Sequence, residues 1–244
     1  MTESTMMFGT GTIINCIAII AGGLFGRLFG KTLKPRMQET MTCALGYCTM
    51  FIGISGAMQN MLVVAADGSI ETKGTMVLIG SMAIGAFLGE WLDLEAMLER
   101  FGEWLKRVTK STGDAGFVNA FVTASLTVCI GAMAIVGAIQ DGIYGDHSIL
   151  FAKAVLDMVF VAVMTASLGK GCIFSVIPVG LLQGSVTILA VFLKPLLTDL
   201  AMSQLSMVGS VMIFCVGVNL AFGKKIRVAN LLPALVVAVV WALL

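Results

Sequence analysis

The chain alternates between apolar blocks of about 20 residues and short polar connections. That block length carries an α-helix across about 30 Å of hydrocarbon at about 1.5 Å per residue. Eight blocks can be read, over 9–30, 38–60, 74–92, 116–139, 148–168, 172–193, 203–222 and 228–244. A segment of another kind, Asp93 to Lys110, lies between the third and the fourth. There Leu94, Met97, Leu98, Phe101, Trp104, Leu105 and Val108 recur at helical spacing, while Glu95, Glu99, Arg100, Glu103, Lys106 and Arg107 fill the opposite face. This pattern predicts an amphipathic helix lying on a membrane surface. The expected fold is an all-α membrane protein, one polytopic domain over 1–244 with an interfacial helix at 93–110.

Charge fixes an expected orientation, because Lys and Arg accumulate in cytoplasmic loops. The first loop holds Arg27, Lys31, Lys34 and Arg36, and the third holds Arg100, Lys106, Arg107 and Lys110. The fifth holds Lys170, and the seventh Lys224, Lys225 and Arg227. Of the 15 Lys and Arg residues, only Lys73, Lys153 and Lys194 fall elsewhere. Alternate loops are therefore basic, which fits eight spans with both termini outside. The opening stretch MTESTMM carries Glu3 and no basic residue, so the first apolar block is expected to stay as a span rather than be removed as a signal peptide.

Composition narrows the function classes. Hydrophobic residues make up 58% of the chain and charged residues 12%, against about 45–50% and about 25% in soluble domains. A soluble domain and a disordered chain are both excluded on these figures. The net charge of +1 gives no field for nucleic acid. The cysteines, Cys16, Cys43, Cys48, Cys129, Cys172 and Cys215, form no CxxC pair and read as small buried hydrophobes. No HExxH, GxSxG or P-loop occurs, and the single histidine, His147, sits in a polar loop. No catalytic centre, metal site or cofactor is expected, and the chain by itself is no ATP-driven pump.

Short echoes hint at internal repeats. Leu33-Lys34-Pro35 recurs as Leu193-Lys194-Pro195, Gly9-Thr10-Gly11 faces Gly169-Lys170-Gly171, and Gly22 and Gly26 resemble Gly180 and Gly184. Those shifts relate span one to span six, which implies an inverted repeat of spans one to three and six to eight, approximately 9–92 and 169–244. A second echo sets Gly56-Ala57-Met58-Gln59-Asn60 against Gly137-Ala138-Ile139-Gln140-Asp141.

Asp157 is the leading candidate for chemistry. It lies nine residues into span five, about 14 Å deep, where a carboxylate costs about 2.5–3.5 kcal/mol on insertion scales. Lys153 stands one turn earlier on the same face. Two readings stay open: a self-neutralising structural pair, or an ion or proton site in which Lys153 is the competing counter-charge. Asp141 and Asp146, in an outer loop expected over Gln140 to His147, read either as an acidic vestibule or as a solvated turn capping span five. Uncharged polar residues within spans are Asn15, Gln59, Gln140, Asn119, Thr123, Ser125, Thr127, Gln183, Asn219 and Asn230. Each serves as helix–helix glue or as a neutral ligand along a route. The expected ion pathway comprises Asp157, Lys153, Asn15, Asp141, Asn119, Thr123, Ser125, Gln140 and Asn219. Gly22, Gly26 and Gly30, Gly85 and Gly89, and Gly180 and Gly184 recur four apart, the spacing of close helix packing.

The stretch GAIQDGIYGDHSILFAKAVLD, Gly137 to Asp157, resembles the prokaryotic multi-pass membrane proteins of domain of unknown function family 554. Gly11 to Gly26 with Asn15, Gly89-Glu90 and Asn230-Leu231-Leu232-Pro233-Ala234 carry the resemblance along the chain. It implies a bacterial cytoplasmic (inner) membrane location and a transport or channel role, without a substrate or site residues. The expected activity is permeation of a cation (Na+ or H+) or small solute. The alternative is a structural or regulatory membrane protein that assembles partners through glycine-rich helix faces. The lipid bilayer is the expected environment, with self-association into a homo-oligomer.

Overall fold

Apolar blocks without a polar partner must satisfy their own backbone in hydrocarbon, which only a helix can do within one segment. A computed structural model describes residues 9–30, 32–130, 132–193 and 198–244. Its helices are α1 (Thr10–Gly30), α2 (Pro35–Met61), α3 (Thr75–Leu92), α4 (Leu94–Val108), α5 (Phe117–Cys129), α6 (Ala132–Tyr144), α7 (Ser148–Leu168), α8 (Val176–Leu193), α9 (Asp199–Phe222) and α10 (Pro233–Leu243). Short 3₁₀ turns, Lys170–Ser175 and Val228–Leu231, lead into α8 and α10. Among the described residues, six helices are long and apolar enough to cross a membrane, or seven when the bent pair α5–α6 is counted as one span. The stretch Val228–Leu243 is a shorter apolar helix. An all-α membrane protein is thus what the chain forms. The MTESTMM segment and the Lys194-Pro195 half of the repeat lie outside the described residues.

The described residues fall into two compact units. The first holds α1, α5, α6, α7, α8 and the 3₁₀ turn before α8. Its spine is α1 on α7. Gly22, Gly26 and Gly30 stand against the backbone of Met158, Ala162 and Ala166, so the two helices run parallel at backbone contact. Phe117, Phe121, Ile19, Val161 and Met164 fill the core beside them. The second unit holds α2 from Glu39 onward, α3, α4, α9 and α10. There Gly46 and Gly53 of α2 meet Ala221 and Phe214 of α9, and Gly85 and Gly89 of α3 meet Ala234 and Asn230 of α10, both pairs antiparallel. The amphipathic helix forms as its spacing predicts. Its Met97, Trp104 and Val108 remain exposed, and Phe101 stacks on Trp104.

Three features depart from the expected pattern. Block 116–139 is not one straight span, because α5 and α6 meet at a 60° bend. The loop between α6 and α7 is shorter than expected: α6 runs on to Tyr144, and Asp141-Gly142 is helical rather than a turn. The turn falls at Gly145, whose φ of 63° is open to glycine at little cost. A small antiparallel hairpin, β1 (Leu62–Val64) with β2 (Ile70–Thr72), occupies the connection between α2 and α3, with Val63 opposite Glu71. Its Asp67-Gly68 corner is the real Asp-Gly turn of the chain. The Asp67 carboxylate accepts from the Ser69 amide at 2.9 Å and hydroxyl at 2.6 Å.

The glycine contacts give a direct test. A methyl on Gly26 would fall inside contact distance of the Ala162 carbonyl, whereas one on Gly184 meets nothing within 4 Å. Gly26→Val should destabilise the detergent-solubilised protein by about 1–3 kcal/mol, the cost of forcing packed elements apart. Gly184→Ala should be neutral or slightly stabilising. Thermal melts followed by size-exclusion chromatography would read both, and equal melting of the two variants would contradict the packing described.

Candidate functional site

Helix α7 carries both charges of the site. Lys153 and Asp157 are one turn apart, and the Lys153 ammonium donates to Asp157 Oδ2 at 2.6 Å. Both side chains are more than nine-tenths buried. The glycine contacts that draw α1 onto α7 bring Asn15 within reach, and its amide donates to the same carboxylate oxygen at 3.0 Å. The Asn15 amide also donates to Gln183 Oε1 of α8 at 3.2 Å. The second hydrogen bond of Lys153 goes to the backbone carbonyl of Val128 at 2.8 Å. Val128 lies in the last turn of α5, where carbonyls have no amide further along the helix. The ammonium thus caps the negative end of a half-helix.

The arrangement is charge-balanced but not fully paired. Asn15 Oδ1 and Gln183 Nε2 are buried with no hydrogen-bond partner. Groups left so in a low-dielectric interior cost about 1–3 kcal/mol each. Ser125, one turn before Val128 on α5, also has a buried hydroxyl without a partner. Oxygen atoms of a carboxylate, an amide and a helix-terminal carbonyl are the ligand types that hold alkali ions or protons in membranes. Among the described residues no group of three His, Cys, Asp or Glu is placed to hold a metal ion.

The expected pathway residues separate by position. Asp157, Lys153 and Asn15 come together. Gln183 completes the cluster; as an amide in an apolar span it reads as helix glue, and nothing in the sequence places it opposite Asn15. Asp141 lies in the same unit on α6, 1% exposed, with Oδ1 at 2.6 Å from Nδ1 of His147. It is therefore no part of a solvated vestibule. Asp146 is exposed and accepts from the Ser148 amide at 2.9 Å; the Ser148 hydroxyl and amide together hold its carboxyl below the usual range. Gln140 is half-buried beside Asp141. Asn119 is exposed on the first turn of α5, and Thr123 is half-buried, its carbonyl accepting the Thr127 hydroxyl at 2.8 Å.

Asn219 belongs to the second unit. Its Oδ1 accepts from the amides of Lys225 and Ile226, and its Nδ2 donates to the Ile226 carbonyl at 2.7 Å. It closes the connection after α9. Nearby, Asn230 Oδ1 accepts from the Glu95 amide at 2.7 Å, and the Glu95 carboxylate accepts from the Ala229 amide at 3.2 Å and from Lys224 at 2.8 Å. These contacts tie α4 to the 3₁₀ turn. Burial pulls the Lys224 ammonium down, but hydrogen bonds to Glu95 and Glu99 outweigh it and hold the group above its usual value.

The family model described as "Protein of unknown function (DUF554)" matches residues 10–243. The chain belongs to the DUF554 family. Among its relatives, the uncharacterized membrane protein YdfK of Bacillus subtilis (strain 168) is 28% identical over 227 residues, covering 93% of each chain. The uncharacterized protein YqgA of Escherichia coli (strain K12) is 28% identical over 232 residues, covering 93% of this chain and 94% of its own. No solved structure matches the chain. This DUF554 member is a membrane protein, as its apolar helices and the first of these relatives agree.

The pair itself can be tested apart from any activity. Lys153→Met and Asp157→Leu alone should each cost about 3–5 kcal/mol, because each leaves a buried charge without its partner. The double variant should recover most of that loss. Melts of the four proteins form the cycle, and additive losses would show that the two charges do not depend on each other.

Proposed function

We propose that this DUF554 protein is a transporter or channel of the bacterial inner membrane for a cation or small solute, centred on Asp157 and Lys153. One observation carries the reading. The Lys153 ammonium sits between a carboxylate and a half-helix carbonyl, with an unpaired buried amide oxygen beside it. That is where a monovalent cation or proton would be held, and Lys153 occupies it as an internal competitor. With both charges buried, the conformation corresponds to an occluded state. The role is one of permeation rather than catalysis, with no cofactor.

Eight spans and an inverted repeat belong to the same reading. Span one packs against span six, with Asn15 on Gln183 and Gly180 beside Cys16. Spans two and seven pair as α2 on α9, and spans three and eight as α3 on α10. Each pair is antiparallel and lies within one unit, as inversion of the repeat requires. The directions also fit alternate crossing, and α1 runs parallel to α7 as first and fifth spans should.

A second reading is favoured by the burial of the pair: a structural charge pair in a scaffold protein. Against it, the close approaches of Gly22, Gly26, Gly85 and Gly89 are made to helices of the same chain. Those faces are already filled. Flux in proteoliposomes loaded with a pH dye or a sodium dye separates the readings. Wild type should carry flux, and Asp157→Asn should abolish it while melting as a folded protein. Absence of flux of either ion, with Lys153→Met/Asp157→Leu at least as stable as wild type, would favour the scaffold.

A further inference from the structure

We propose that Asp141 and His147 form an outer proton-loading site that reaches Asp157 through a buried polar route past Thr12 and Thr187. The proposal deepens the transport reading above and names its cargo as the proton.

The route is built from one face of each of three helices in the first unit. On α1, Thr12 stands three residues before Asn15, about 4.5 Å along the axis. On α8, Thr187 stands four residues after Gln183, about 6 Å along the axis and in the same direction, because α1 and α8 are antiparallel. Both hydroxyls are buried, Thr12 at 7% and Thr187 at 2% exposure, and neither has a hydrogen-bond partner. At that level α6 meets both helices. Asp141 Oδ2 lies 3.2 Å from where a Cβ on Gly11 would be, and the Thr187 carbonyl lies 2.5 Å from where a Cβ on Gly142 would be. Asp141 Oδ2 is itself buried and unpartnered.

Buried polar atoms without partners thus recur from Asp141 through Thr12 and Thr187 to Asn15 and Gln183, and the Asn15 amide is bonded to Asp157. Buried polar groups at membrane depth need partners. Axial steps of about 4.5–6 Å between such groups leave a gap that a bridging water can fill. His147, 18% exposed at its side chain and hydrogen-bonded to Asp141, is the link to solvent. The route is too narrow for a hydrated metal ion. At Gly11 and Gly142 even a methyl would collide with Leu150, with the Thr187 carbonyl or with Ala190. A file of single waters at such a constriction is a path open to protons where it ends on a carboxylate at each side, as here on Asp141 and Asp157.

Leu150 reports on the route without mutation. It is fully buried, yet it lies between Gly11 of α1 and Gly137 of α6. Phe117 and Phe121 are equally buried, in the apolar core beside the 3₁₀ turn. X-ray hydroxyl-radical footprinting of the wild-type protein should oxidise Leu150 several-fold faster than Phe121, although phenylalanine is the more reactive side chain. In parallel, proton flux should fall about tenfold in Asp141→Asn and in Thr12→Val/Thr187→Val, equivalent to about 1.4 kcal/mol on the barrier, with melts matching wild type. Leu150 as protected as Phe121 overturns the route, whatever the flux, and so does undiminished flux in both variants. Wild-type protein that oxidises at Leu150 but carries no proton overturns the loading role, and sodium flux in the same vesicles then decides the transport reading separately.

Discussion

A carboxylate halfway through a membrane helix can persist only if its surroundings replace the water it has lost. Asp157 meets that condition through three neighbours: the Lys153 ammonium, the Asn15 amide and, by way of Lys153, the end of α5. Each comes from a different part of the chain. Lys153 is supplied by helical periodicity alone. Asn15 reaches the carboxylate only because α1 lies on α7 at backbone distance, which the glycines at 22, 26 and 30 permit. The Val128 carbonyl is free to accept only because α5 stops where it does. The glycine seam and the helix break therefore belong to the same electrostatic requirement. Without the seam the Asn15 hydrogen bond is lost, and without the break the second hydrogen bond of the ammonium is lost.

The second unit solves a milder version of the same problem. Glu95 is 4% exposed at the start of an amphipathic helix. Its carboxylate is matched by Lys224 and by the amide of Ala229, while its own amide is taken by Asn230. The basic loop after α9 therefore has a packing role of its own. Lys224 anchors α4, and Asn219 gives that loop its shape. The exposed Met97, Trp104 and Val108 then lie on a helix whose polar side is already fixed, which suits a helix resting on lipid.

Much of this was legible in the sequence, and the illegible parts have physical reasons. Asp157, Lys153 and Asn15 stand out because charge or amide in a long apolar run has few uses. The amphipathic helix stands out because its period is helical while its neighbours are uniformly apolar. The bend after α5 does not stand out, since Cys129 to Ala132 is apolar and hydropathy does not register a break in direction. A backbone acceptor such as Val128 leaves no mark in sequence at all. Asp141-Gly142 misleads for the opposite reason. Its local chemistry favours a turn, but Gly142 is needed where α6 touches α8, and His147 satisfies Asp141, so tertiary contacts keep the pair helical. Asp67-Gly68, with no packing to override it, makes the turn that its local chemistry favours.

The position of Lys153 also says how such a site would be coupled to movement. The ammonium holds two things at once, the carboxylate of its own helix and the carbonyl end of α5. A proton or cation that neutralises Asp157 removes the stronger of the two attractions on Lys153, leaving a buried ammonium supported by one carbonyl. That state is costly, and relief requires Lys153 to move toward water. Such a movement withdraws the cap from α5, whose terminal carbonyl then needs another donor. Occupancy of the carboxylate and the position of a half-helix are thereby linked through one side chain. In the transport reading, that linkage couples occupation of the site to rearrangement around it.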